Sequence, residues 1–208
     1  MEDQTIGAWL DALASAAPTP GGGAAAAVNA AIGAALIEMV CRLTIGRPRY
    51  AQHEPAMSEA LARAGALRSQ ALRLAADDAS AYGAVIDAHA LPKGTDAERR
   101  ERAERTRRAL LGATLVSLDT ADTAGDIVAL AGRVVDEANV NARADLAAGA
   151  ASARAALETA LLNAEANLGA LADPAAGGEL AARHGRAAAL LPAAEETIAR
   201  IRRTIASR

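Results

Sequence analysis

Pro18-Thr19-Pro20-Gly21-Gly22-Gly23-Ala24-Ala25-Ala26-Ala27 decides how the rest of the chain is read. Two prolines stiffen the approach, three glycines free the backbone, and an alanine run then favours helix. A helix that opens behind a glycine triplet presents uncovered N–H groups and the positive end of its dipole. That suits an anion or a polarised carbonyl. The same residues would serve equally as a plain helix–helix turn. They do not form a nucleotide-binding loop, because no Gly-Lys-Ser/Thr ending follows and no strand-like run precedes.

Outward from this point the composition supports helices throughout. Phe is absent, and Trp9, Tyr50 and Tyr82 are the only aromatics in 208 residues. A core of Ala, Leu, Ile and Val at close backbone separation suits helices with small-residue faces and argues against a sheet. The length fits one domain, 1–208, with a real core. A net charge of −3 gives no electrostatic reason to expect nucleic acid. Cys41 stands alone, so no internal disulfide forms and a reducing cytoplasm is expected. The opening Met1-Glu2-Asp3-Gln4 lacks the basic start of a secretory signal. The apolar window 23–45 is interrupted by Asn29, Glu38 and Arg42 and reads as a buried helix, not a membrane span. Three scattered histidines and one cysteine make no zinc site.

Turn signals divide the chain into helices over 5–16, 23–45, 55–91, 95–138, 143–171 and from the 173–178 turn to about 205. Gly46-Arg47-Pro48 stops the second, and Pro55 sits in the first turn of the third. Thr95-Asp96-Ala97-Glu98 has the form of a capping box. Gly112, Gly125 and Gly132 are potential breaks in the fourth helix. Asp173-Pro174 with Gly177-Gly178 reads as a turn, and Pro192 as a bend or division in the last helix. The fold expected is all-α: long antiparallel helices in a bundle. Alanine buries little area, so a second copy of the chain is expected to complete it as a homodimer.

Several residues carry chemistry. Asp145, at the start of the fifth helix, is either a helix-opening acid or a carboxylate held ionised by the local dipole. Asn139 and Asn141 either shape a loop or offer amides to a flat heterocycle. Asp77 and Asp78 diverge by about 100° on the third helix. Asp78 lies one turn before Tyr82 and is the better inward candidate. Lys93 is the only lysine among the 22 basic residues. It is either an exposed loop cation or a point charge able to lose its proton when desolvated. Arg47, Arg49 and Tyr50 form a basic-aromatic turn suited to a carboxylate tail, or simply an exposed helix end. Cys41 reads as packing.

Four segments taken together resemble one family. They are 18–23, then Met39-Val40-Cys41-Arg42-Leu43-Thr44-Ile45-Gly46-Arg47-Pro48-Arg49-Tyr50, then Leu91-Pro92-Lys93, then Asn139-Val140-Asn141-Ala142-Arg143-Ala144-Asp145. They occur in the order of the cyclodeaminase/cyclohydrolase family of folate enzymes, over about 5–171. The resemblance implies an all-helical homodimer that takes a tetrahydrofolate derivative as substrate, with no prosthetic group, metal, nucleic acid or membrane. Its implied reaction is hydrolysis of 5,10-methenyltetrahydrofolate to 10-formyltetrahydrofolate. The alternatives are formimidoyltetrahydrofolate cyclodeamination with loss of ammonia, beside a separate formiminotransferase, or a non-catalytic folate- or partner-binding module. In that scheme Asp145 is the electrostatic stabiliser or general base, with Lys93 and Asp78 as further catalytic groups. Pro20, Gly21, Gly22, Gly23, Arg47, Arg49, Tyr50, Asn139 and Asn141 would bind substrate. Two departures stand out: Ala144 where the family often has serine before the aspartate, and Arg47-Pro48-Arg49 where it favours three lysines.

Overall fold

The computed structural model describes residues 4–171 and 174–206. The acidic start at residues 1–3 and Asp173 of the expected turn lie outside the described residues.

Among the described residues seven α-helices follow one another: α1 Ile6–Leu13, α2 Gly22–Thr44, α3 Glu54–Ala90, α4 Asp96–Val134, α5 Arg143–Ala170, α6 Pro174–Ala188 and α7 Leu191–Ala206. Short 3₁₀ turns, Pro48–His53 and Val140–Ala142, join α2 to α3 and α4 to α5. Local chemistry sets most of these boundaries. The Thr5 hydroxyl accepts from the Ala8 N–H and caps α1. Thr95 and Glu98 close a full capping box on α4, each side chain taking the other residue's backbone N–H. Gly46 takes φ +74 just after α2, a torsion that glycine reaches without strain.

Helices α2, α3, α4 and α5 form an antiparallel four-helix bundle, each packed on its neighbours in a closed ring. Its core is one cluster that includes Ile37, Met57, Leu67, Ile127 and Leu157, with alanines between them and Ile201 of α7 at its edge. Among the described residues, α2 is the helix long and apolar enough to cross a membrane, with 61% of that window buried. Packing against α3 and α5 accounts for its apolarity. Cys41 lies in this interior, where burial pushes its thiol up to about 11. Glu38 of α2, only 4% exposed, is the bundle's buried charge. Arg42 and Arg68 hold it at 3.0 and 2.5 Å.

The structure corrects two sequence expectations. Gly112, Gly125 and Gly132 do not break α4, which runs unbroken for 39 residues. Two of them are instead where other helices come close. A Cβ on Gly125 would lie 2.8 Å from Leu190 Cδ1, and one on Gly132 would lie 3.2 Å from Thr197 Cγ2. Gly177 and Gly178, expected in a turn, lie within α6. Pro192 falls in the first turn of α7, where its missing N–H is harmless, and so divides the last segment as expected.

Candidate active site

The glycine triplet and Asp78 meet at the start of α2. Gly21 is the N-cap of that helix and supplies no side-chain cap. Asp78 reaches across from α3 and takes the hydrogen bond of the Ala24 N–H. A carboxyl from another helix therefore does what a serine or aspartate cap normally does from within the chain. The fit leaves no room at residue 23. A Cβ on Gly23 would fall 1.9 Å from Asp78 Oδ1, so any side chain here would displace the Asp78 carboxyl.

These residues open onto a cleft of about 300 Å³ between α2, α3, α4 and α5. Tyr82 stands one turn along α3 from Asp78. Ser117 of α4 and Asn163 and Asn167 of α5 face it. The Asn163 amide donates to the Thr159 carbonyl at 2.8 Å, which leaves its carbonyl oxygen beside Gly22. The Ser117 hydroxyl donates to the Ala113 carbonyl at 3.1 Å. Burial pushes the Asp78 carboxyl above its ordinary value, against the opposing pull of the Ala24 N–H. The cleft thus holds a basic carboxylate, uncapped backbone donors, a phenol and two amides. That set can stabilise a cationic carbon, move a proton and recognise the polar edge of a heterocycle.

The remaining sequence candidates lie elsewhere, so the single site implied by the resemblance is not assembled within one chain. Asn139 and Tyr50 lock the far end of α2. The Asn139 N–H donates to Thr44 Oγ1 at 2.9 Å, and its amide donates to the Leu43 carbonyl at 2.9 Å. The Tyr50 hydroxyl accepts from the Val140 N–H at 3.1 Å and donates to Asn139 Oδ1 at 3.5 Å. Asn139 Oδ1 also accepts from the Asn141 N–H. These side chains are spent on bracing the loop. Arg47 and Arg49 are exposed beside them, the Arg49 guanidinium 5.7 Å from the Tyr50 ring centre. This end stands about 34 Å from the glycine cleft, the length of α2. Asp145 opens α5 some 27 Å from Asn163, by the rise of the helix between them. Lys93 is exposed in the turn between α3 and α4. Pro20 lies in the approach to the triplet but not on the cleft wall.

Sequence reading missed Ser117, Asn163 and Asn167. Nothing in their local sequence separates them from other polar residues on helices. Only the packing of α4 and α5 against α2 brings them to the cleft.

A family model described as formiminotransferase-cyclodeaminase matches residues 5–186. The chain belongs to that family. It is 42% identical over 173 residues to a methenyltetrahydrofolate cyclohydrolase of Methylorubrum extorquens, covering 83% of each protein. It is 31% identical over 166 residues to the formimidoyltransferase-cyclodeaminase of Mus musculus, covering 80% of this chain but 30% of that longer protein. The crystal structure of a formiminotetrahydrofolate cyclodeaminase from Thermotoga maritima superposes with a TM-score of 0.86 over 96% of both chains. At 23% identity that likeness establishes the fold. The named relatives are enzymes acting on folate C–N bonds, and the family's all-helical architecture is the one described above.

Proposed function

We propose that this chain is a methenyltetrahydrofolate cyclohydrolase working in the Gly21–Asp78 cleft. The observation that carries the reading is the Asp78 carboxyl, made more basic by burial and fixed against the Ala24 N–H in the first turn of α2. The methenyl carbon of the substrate bridges two nitrogens and carries positive charge. The Asp78 carboxylate stabilises that charge and accepts a proton from the attacking water as its oxygen bonds to the carbon. The neutral adduct then opens: its bond to N5 breaks as N5 takes the proton back from Asp78, and the regenerated carboxylate accepts the hydroxyl proton and releases it to solvent, leaving the formyl group on N10. Tyr82, Asn163 and Asn167 hold the heterocycle, and Ser117 borders the floor.

Sequence similarity supports this reading over cyclodeamination, since the chain is 42% identical to the cyclohydrolase relative and 31% identical to the mouse formimidoyltransferase-cyclodeaminase. The direct test follows loss of methenyltetrahydrofolate absorbance with purified protein against buffer. Turnover above buffer is the expected result. Decay at the buffer rate, with ammonia released from formiminotetrahydrofolate, would move the assignment to the cyclodeaminase.

The pH profile tests the assigned base. A carboxylate acting as base loses activity when protonated, so kcat/KM should fall on the acid side. Its midpoint should lie above the ordinary aspartate value of 3.8, because burial raises Asp78. A midpoint at or below 3.8 would exclude Asp78 as the base.

The enzyme works as a homodimer. Along α2, Ile32, Met39 and Leu43 are 46%, 37% and 38% exposed on one face, a stripe that a second copy would cover. Sedimentation equilibrium should return twice the 21.0 kDa chain mass. A single chain mass at micromolar concentration would overturn it.

A further inference from the structure

Beyond the glycine cleft, a larger cavity of about 620 Å³ lies at the α3–α4 turn. The two spaces have no lining residue in common but lie one helical turn apart on the same helices. On α4, Leu110 lines the outer cavity and Ala113, one turn on, lines the inner cleft. On α5, Ala170 lines the outer and Asn167 the inner. Val85, Leu110 and Ala113 form one apolar cluster, with Leu171 packed against it, and through Leu110 and Ala113 this cluster borders both spaces.

The outer cavity differs from the inner in charge. Lys93, Arg99, Arg100, Arg102 and Arg107 line it against the single carboxylate of Glu104. Glu104 is already engaged by Arg107 and Arg108, and Arg99 pairs with Asp96. Arg102 donates its Nε–H to the His89 carbonyl at 3.2 Å. Lys93, Arg100 and Arg102 have no ion-pair partner among the described residues. Three cations without a protein counter-charge in one concave space call for an anionic ligand. From Ser117 to Arg102 along α4 is about 22 Å, a span suited to an extended ligand with a heterocyclic head, an aromatic linker and an acidic tail met by long side chains.

We infer that this outer cavity is the subsite for the carboxylate-bearing tail of the substrate, bound by Lys93, Arg100 and Arg102. The inference rests on the proposed cyclohydrolase function. The head lies in the glycine cleft, the aryl linker crosses Val85, Leu110 and Ala113, and the glutamyl carboxylates reach the cations. Lys93 is thereby a tail-binding residue, lining a different cavity from Asp78. The exposed Arg47 and Arg49, at the opposite end of α2, cannot meet this tail within the same chain.

The test uses the full-length protein and two substrates, 5,10-methenyltetrahydrofolate and the corresponding pteroate lacking glutamate. The Arg100→Gln/Arg102→Gln variant should raise KM for the glutamate-bearing substrate at least about tenfold, with kcat within about twofold. KM for the pteroate should not change. Arg105→Gln, which removes a single charge from α4 outside the cavity, should leave both values as in wild type. Circular dichroism melts of all three proteins check that the fold is kept. An unchanged KM for the glutamate-bearing substrate in the double variant would overturn the subsite, as would an equal rise for both substrates. Either result leaves wild-type turnover, and so the function, intact. Wild-type protein that turns over neither substrate would overturn the function and the subsite together.

Discussion

Asp78→Asn should reduce turnover of methenyltetrahydrofolate by about 10²–10⁴-fold while the helical fold is kept, the range expected for loss of a general base. Asparagine is nearly the same size, and its carbonyl can still accept from the Ala24 N–H that Asp78 engages. The loss would therefore report chemistry and not collapse of the cleft. The stability of the same variant supplies an independent check. Burial raises the Asp78 carboxyl, so the folded chain holds that proton more tightly than the unfolded chain. Stability from this group is present at low pH and is lost as pH rises from the ordinary value of 3.8 through the raised one. At neutral pH the wild type carries a half-buried charge that the variant lacks. Asp78→Asn should accordingly melt at or above the wild-type temperature at pH 7, and lose that advantage in acid. A catalytic group that weakens the fold is a familiar compromise. An inactive variant that also melts far lower would instead assign Asp78 a structural part. Asp145→Asn in the same assay separates two arrangements. Turnover is retained if the site lies within one chain, and is lost if the partner's α5 end completes it.

Gly33→Val should be the most damaging single change to the fold. At the crossing of α2 and α5, a Cβ on Gly33 would sit 2.8 Å from the Gly149 carbonyl oxygen and 3.2 Å from Ala153 Cβ. A Cβ on Gly149 would meet the Gly33 carbonyl oxygen at 3.0 Å. Backbone faces backbone here, so no flexible side chain can yield. Overpacking of this kind costs about 3 kcal/mol, at the upper end of its usual range. In a chain this long, that lowers Tm by about 6–12 °C. Gly112→Ala is the matched control. Nothing lies within 4 Å of a Cβ there, so replacing a helical glycine should raise stability by about 0.5–1 kcal/mol. Differential scanning calorimetry on the two variants reads both signs. A Gly33→Val protein that melts with the wild type would show that the α2–α5 crossing is not tight.

The glycine triplet illustrates how far residue order reaches. Its three glycines and the following alanines announce a helix opening with uncapped N–H groups, and the structure has α2 beginning at Gly22. The partner of those N–H groups is not contained in the triplet. Asp78 lies more than fifty residues away, beside an equally acidic Asp77 that ends up exposed. Helical phase, together with Tyr82 one turn on, favoured Asp78. The depth of its burial needed the packing of α3 on α2. Asn139 and Tyr50 show the opposite case. Their neighbourhood in sequence suggests substrate contacts, yet each is consumed by backbone groups that only the folded loop brings within reach.

By itself, then, the sequence determined the all-α class, the Thr95–Glu98 start of α4, the Gly46 stop of α2 and the apolar faces that must be buried. All of these follow from sterics and hydrogen bonds within a few residues, or from helical periodicity. The tertiary structure decided which carboxylate is buried, why α4 survives three glycines, where Ser117, Asn163 and Asn167 converge, and that Lys93 lines a different cavity from Asp78. Those outcomes depend on which helices become neighbours and at what register. Register is fixed by contacts such as Gly33 against Gly149, between residues more than a hundred positions apart.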